Sequence, residues 1–232
     1  MNFFRYAGNR IMLSSPRCIF VVGGPGCGKG TTCEKLARDP TKFHLNGKLV
    51  TFVHLCAGDL LRSVASGDSP CSNIEIKDKV QYLLSNGKIV PSEITFALIS
   101  EALRANEKNG ACGTQRIYLL DGYPRKRDQG DWFEKEFGRV SKVIYLNCSS
   151  STLRKRLLKR QSKDVQNQSV STPRKDDIPS LIDKRIQVHV EECLPVIESY
   201  SAENRLHTID CDDKTVEQVV DETRLAILSL TR

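Results

Sequence analysis

Long apolar runs are missing from this chain of 232 residues. The longest nearly unbroken one is Cys18–Val22, far short of the roughly 20 residues a membrane-spanning helix needs. Aromatic residues are scarce: eight Phe, six Tyr and one Trp, thin material for a surface on which nucleic-acid bases stack. The nine cysteines, at 18, 27, 33, 56, 71, 112, 148, 193 and 211, include no C-x-x-C pair. None clusters with histidine at the spacing a zinc module needs. An odd cysteine count in a chain this long suggests reduced thiols inside a cell. No internal repeat is visible.

Acidic residues are absent before Glu34. Residues 1–16 carry Arg5 and Arg10, apolar Phe3, Phe4, Ile11, Met12 and Leu13, and then Ser14–Ser15. That composition suits a mitochondrial presequence, and equally a disordered extension or a start at Met12. A cytoplasmic location is the expectation, with a mitochondrial one as the alternative.

Charge is present in quantity. Lysine and arginine number 35 against 28 acidic residues, a formal net charge of +7. A nucleic-acid binder could carry that charge, and so could an enzyme for polyanionic small molecules. No groove-binding motif accompanies it, so no nucleic-acid partner is expected. Residues 17–232 are long enough for one α/β domain with small inserts.

Short apolar strands alternate with helical segments. The strands are read at 18–22, 49–53, 117–120, 142–146 and 206–210. The helices are read at 29–38, 58–66, 72–85, 92–108, 127–137, 150–159 and 215–230, punctuated by Gly67, Pro70, Gly87 and Pro91. Residues 39–50 look like an insertion, and Pro195 marks a bend in a helical run. This order predicts an α/β fold, a five-stranded parallel sheet flanked by helices. Ligands in such sheets bind beyond the carboxyl ends of the strands. The stretch 161–179 has almost nothing to bury, and Arg174, Asp176 and Asp177 within it favour a functional lid over disorder.

Gly23-Gly-Pro-Gly-Cys-Gly-Lys29 matches G-x-x-x-x-G-K, directly after a buried strand and at the start of a helix. This is the P-loop context. Glycines let the backbone wrap a phosphate with its N–H groups inward, and the helix adds its positive end. Gly24, Pro25, Gly26, Cys27, Gly28, Lys29, Gly30 and Thr31 are therefore candidate ATP-binding residues. Cys27 contributes backbone rather than sulfur. The generic motif puts Ser or Thr directly after the lysine, whereas Gly30 intervenes here before Thr31.

This Gly-Pro-Gly-Cys-Gly-Lys-Gly-Thr string resembles the loop of the nucleoside-monophosphate kinase family, the adenylate kinases and UMP–CMP kinases. His54-Leu-Cys-Ala-Gly-Asp-Leu-Leu-Arg62 and Gly87-Lys-Ile-Val-Pro-Ser-Glu-Ile-Thr95 resemble the borders of that family's monophosphate-binding insert, about 57–93. Leu120-Asp-Gly-Tyr-Pro-Arg125 is the strongest second signature. Leu157-Leu-Lys-Arg160, Arg174-Lys-Asp-Asp177 and Lys184–Arg185 resemble the lid, about 161–178, and its hinges. Gln161, Pro173 and Ile178 depart from the usual lid residues. The lid has no cysteine, so no structural zinc is expected.

The resemblance implies the reaction ATP + NMP ⇌ ADP + NDP with Mg²⁺, by a P-loop phosphotransferase that acts as a monomer. It gives Lys29, Arg125, Arg160, Arg174 and Arg185 catalytic roles, and Arg156 a place against the ATP base beside Arg160. It puts Ala57, Arg62, Val90, Gly122, Arg125, Gln129, Arg174 and Arg185 around the monophosphate. Asp121 would hold Mg²⁺ through water, and Asp59 is read as a helix-start residue. His44, His54, His189 and His207 receive no role. Ala57 points to UMP and CMP as favoured acceptors. Gln129, whose amide can flip to present either edge, points to AMP activity as well.

An arginine-rich set fits this chemistry. A monophosphate has a second pKa of about 6, so its attacking oxygen is already ionised at neutral pH and no general base is needed. The task is to bring anions together and stabilise charge on the moving phosphoryl group. Guanidinium groups stay charged and grip two oxygens at once. Two rivals remain: a phosphotransferase for a sugar or nucleoside, which would need a base, and a nucleotide-gated nucleic-acid-binding or regulatory module.

Overall fold

A computed structural model describes residues 17–229 apart from 42, 46–47, 69–73, 109–113, 141 and 167–177. The central sheet holds β1 (Arg17–Gly23), β2 (Phe43–Leu45), β3 (Lys48–Cys56), β4 (Thr114–Asp121), β5 (Val143–Asn147) and β6 (Leu206–Asp210). Its order is β2-β3-β4-β1-β5-β6. Five strands are parallel, as the alternation predicts. The sixth, β2, is an antiparallel edge strand formed within the 39–50 insertion, with Phe43 opposite Val50. Three residues are too few to show a strand period, so this element follows from its pairing with β3.

β1 runs through the middle and alternates its side chains between two cores. Ile19 and Val21 enter one cluster with Leu119, Ile144 and Leu157. Phe20 and Val22 enter the other with Tyr118, Tyr123, Phe133 and Tyr200. Phe20 meets the rings of Tyr123, Phe133 and Tyr200 edge-on at 5.7, 5.3 and 6.1 Å, an arrangement favoured by ring quadrupoles. A sheet buried on both faces needs near-continuous apolar strands, which explains the Cys18–Val22 run.

The helices are α1 (Lys29–Arg38), α2 (Ala57–Ser66), α3 (Ile74–Ser85), α4 (Ser92–Lys108), α5 (Arg127–Phe137), α6 (Ser150–Gln166), α7 (Pro179–Val188), α8 (Leu194–Ala202) and α9 (Val216–Leu228). Leu61, Val64, Val80 and Val90 form a separate small core within the insert that carries α2 and α3. Among the described residues, no helix is long and apolar enough to cross a membrane.

Two elements differ from the sequence reading. α6 does not stop at 159 but continues through Gln166, into the stretch read as lid. No glycine or proline lies between 160 and 172, and lysine and glutamine extend a helix readily. Between α7 and α8 the chain makes a π-turn, His189–Cys193, in which Leu194 N–H donates to the His189 carbonyl. Pro195, expected to mark a bend, sits in the first turn of α8. It has no N–H for the carbonyl one turn back, and widening that turn relieves its ring clash.

Candidate active site

The site is built on the carboxyl ends of β1 and β4, beside the point where the chain changes direction across the sheet. α1 starts at Lys29 from Gly28, whose φ is +108°, with no side chain capping its N-terminus. The first-turn N–H groups are thus left to a ligand, and a side chain at Gly28 would be strained. Lys29 Nζ donates to the carbonyls of Gly23 at 2.7 Å and Gly24 at 2.8 Å, and lies 3.5 Å from Cys27 Sγ.

Asp121 ends β4, paired with Val21 on one side and Cys56 on the other. Burial pushes its carboxyl pKa up, but a hydrogen bond from His54 and the charge of Lys29 outweigh that, so the net shift is downward. His54 Nε2 lies 3.1 Å from Asp121 Oδ2, giving this histidine the partner that the sequence did not show. Asp121 Oδ2 would lie only 3.5 Å from a Cβ on residue 30. Residue 30 therefore stands beside the carboxylate at ordinary contact distance.

Gly122 (φ +71°) turns the chain toward Arg125. A Cβ there would lie 3.4 Å from Arg125 Nη2 and 3.9 Å from Lys29 Cε, so the two cations flank this glycine. Arg125 Nε donates to the Gly122 carbonyl at 3.1 Å. Arg125 N–H donates to Gln129 Oε1 at 2.8 Å. Gln129 is 1% exposed, and its Nε2 has no partner.

Arg156 reaches from α6 to the phosphate loop. Its Nη1 donates to the Cys27 carbonyl at 3.2 Å, and its Nη2 to the Cys211 carbonyl at 2.5 Å. The Cys27 carbonyl is thus taken by Arg156, while its buried thiol lies against Lys29.

The family model described as Adenylate kinase matches residues 21–205. This chain belongs to the adenylate kinase family. It is 39% identical to adenylate kinase 1 of Schistosoma mansoni, over 90% of this chain and 92% of that one. It is 34% identical to the uridylate kinase of Saccharomyces cerevisiae, over 90% and 89%. It is also 34% identical to the UMP-CMP kinase of Lentinula edodes, over 91% and 86%.

Within this adenylate kinase fold, the other expected residues have the following places. Ala57 is buried at the start of α2. Arg62, on the same helix, pairs with Asp59, one of its first-turn residues. Val90 belongs to the small core of the insert. Arg185 lays its Cγ 3.2 Å from where a Cβ on Gly87 would be, so α7 touches the border of the insert. Arg160 is half-buried on α6, one turn beyond Arg156. Arg174, Asp176 and Asp177, and with them the lid's expected closing arginine, lie outside the described residues.

His189 was given no role from sequence, yet it is buried beside the phosphate loop. Its Cδ2 lies 3.2 Å from where a Cβ on Gly24 would be. Burial, and then the charges of Lys29 and Arg125, push its pKa down to about 4. Only the π-turn brings it there, and no spacing rule forecasts such a turn. Because the unfolded histidine titrates near 6.5, the unfolded chain binds more protons between pH 6.5 and 4. Stability from a neutral His189 is full above about 6.5 and is lost as pH falls toward 4, by up to roughly 3 kcal/mol. Denaturant unfolding of wild type and His189→Gln across this range checks it. The gap between the two should change with pH, and a constant gap would refute the assignment.

Proposed function

We propose that this chain catalyses ATP + NMP ⇌ ADP + NDP, a phosphoryl transfer between two nucleotides held on either side of Gly122. It is a nucleoside-monophosphate kinase, a phosphotransferase with a phosphate acceptor. The observation that carries this reading is the pairing of Lys29, at the phosphate loop, with Arg125, at the end of β4, around one glycine. Two cations at that spacing suit two phosphates brought to reacting distance. No carboxylate base is required, since the acceptor oxygen is already ionised.

Each residue then has a task. Lys29 and the α1 N-terminus take the ATP phosphates. Arg62 and Arg125 take the acceptor phosphate, with Arg160, Arg174 and Arg185 around the transferring group. Arg156 lies against the ATP base. The ionised, nearly buried Asp121 meets His54 through Oδ2, the oxygen that also faces Gly30 of the phosphate loop, and would hold water on a nucleotide-bound Mg²⁺. The ion supplies charge neutralisation on the phosphates. Cys33, His54 and Asp121 bring ligand atoms within 4.8 Å of one another, but burial pushes the Cys33 thiol well up. That keeps it neutral and suits a water-mediated hard cation better than a thiolate site. The helical insert and the lid close over the nucleotides and exclude water.

The acceptor base is read from Gln129. Its Oε1 accepts from a backbone N–H, a group that can only donate, so a flipped amide would set donor against donor. The flip expected as a route to dual acceptance thus costs the Arg125 hydrogen bond. In the orientation held, Nε2 donates to the base and Oε1 keeps one lone pair. Cytosine (N3 with the N4 amino group) and adenine (N1 with the N6 amino group) match that order. Uracil presents the reverse order at its O4 and N3–H and must slide to match. Ala57 favours pyrimidines by family resemblance. We therefore rank CMP first, AMP as an appreciable acceptor and UMP below CMP. A coupled assay of kcat/KM across CMP, AMP, UMP, dCMP and GMP tests both levels. CMP should exceed UMP by about tenfold, the worth of one hydrogen bond. UMP equal to or better than CMP would overturn the ranking, and no NDP from any acceptor would overturn the activity.

A further inference from the structure

Cys148 directly follows β5, and Cys211 directly follows β6. These strands are parallel with Asn147 opposite Asp210, and Cys211 N–H donates to the Asn147 carbonyl at 2.9 Å. The cysteines are therefore the next neighbours across the ladder. Parallel strands lie about 4.8 Å apart, within the roughly 4.4–6.8 Å between Cα atoms that a disulfide spans.

Their side chains interact with each other, and Cys148 through its sulfur and Cys211 through its carbonyl both meet Arg156. Cys148 Sγ lies 3.9 Å from the Cys27 carbonyl and 3.4 Å from Arg156 Nη1. Arg156 joins the Cys27 and Cys211 carbonyls. Cys148 is half-buried and reachable, whereas Cys211 is buried behind it. An accessible thiol backed by a second one is the arrangement of a redox-responsive pair.

We propose that Cys148 and Cys211 form a reversible disulfide that loosens Arg156 from the phosphate loop and weakens ATP binding. This rests on the reading of Arg156 as an ATP-side residue. The oxidant is a low-molecular-weight disulfide, RSSR. The proton shared by the pair moves to Cys211 Sγ, and the Cys148 thiolate so formed attacks one sulfur of RSSR, forming a mixed disulfide and expelling RS⁻. The Cys211 sulfur, having lost its proton, then attacks Cys148 Sγ and expels the second RS⁻. Two protein thiols are oxidised and RSSR is reduced to two RSH, so atoms and electrons balance. The Cys148 thiol donates to the Cys211 sulfur, which holds the Cys211 pKa down and pushes that of Cys148 up, so one proton is shared between them; Arg156 and Lys214 add positive charge nearby. Asp212 opposes them. Once the sulfur of Cys148 is drawn to Cys211, its contacts with Arg156 and the Cys27 carbonyl are lost.

The full chain is treated with oxidised glutathione and then with dithiothreitol. The expected product has lost two hydrogens without an adduct, and peptide mapping finds Cys148 joined to Cys211. ATP Kd by calorimetry and ATP KM both rise roughly tenfold, the worth of one charge-assisted hydrogen bond, while acceptor KM stays within about twofold. Dithiothreitol restores both. Cys211→Ala should stop at a glutathione adduct on Cys148, and Cys148→Ala should give neither product at this pair. Failure of the joined peptide to form, or its formation with unchanged ATP Kd, overturns the proposal. Absence of NDP from the reduced chain would instead strike the proposed activity, and the calorimetric arm would still decide the disulfide.

Discussion

Lys29→Met is expected to lower kcat by at least about 100-fold while the chain still folds. The loop offers phosphate its backbone N–H groups, but charge on the transferring oxygens needs a mobile cation, and methionine leaves that charge unmatched. The folded state loses two hydrogen bonds to the Gly23 and Gly24 carbonyls. Each such bond contributes about 1 kcal/mol, so thermal unfolding should shift by only a few degrees. A second readout comes from His189, since Lys29 is the largest charge holding its pKa down. Removing that charge should raise the His189 pKa, observable as an imidazole NMR titration. A variant keeping more than one-tenth of wild-type kcat, only about 1.4 kcal/mol of barrier, would refute the role of Lys29.

Arg125→Met is the second large effect. Its backbone N–H still anchors Gln129, so that side chain keeps its orientation and only the guanidinium is lost. That group sits across Gly122 from Lys29, and losing its grip on the acceptor phosphate should cut kcat/KM for the monophosphate about 1000-fold. KM for ATP should stay within about threefold, because the proposed role puts Arg125 on the acceptor phosphate. Steady-state kinetics with each substrate varied in turn separates these. A loss of less than tenfold in acceptor kcat/KM would remove Arg125 from the reaction.

The helices at Lys29–Arg38, Ser92–Lys108 and Arg127–Phe137 were legible to the residue, and so was the strand Leu206–Asp210. Each is bounded by glycine, proline or a clear change of polarity. The phosphate loop was legible because its glycines and lysine must occur at fixed spacing for the backbone to wrap a phosphate. Asp121, Gly122 and Arg125 converge as the strand-end rule requires. The rest depends on contacts made far along the chain. β2 exists because β3 offers an open edge. α6 lengthens through residues that have no apolar period. The His54–Asp121 pair joins positions 67 residues apart. Gln129 was visible, but its orientation hangs on a backbone N–H that no side-chain pattern reveals.

The π-turn at His189–Cys193 adds one residue of phase between two helices that otherwise run on. Each residue of an α-helix advances the azimuth by about 100° and the axis by 1.5 Å. Everything before the turn is therefore aimed about 100° away from where an unbroken helix would put it, counted back from Tyr200. Arg185 and His189 face the insert border and the phosphate loop because of that offset. Deleting a single residue from 190–193 would force Pro195 into a regular turn, with one hydrogen bond missing and its ring against a carbonyl. The same deletion would swing both side chains off the cleft, a mechanical loss added to the local one.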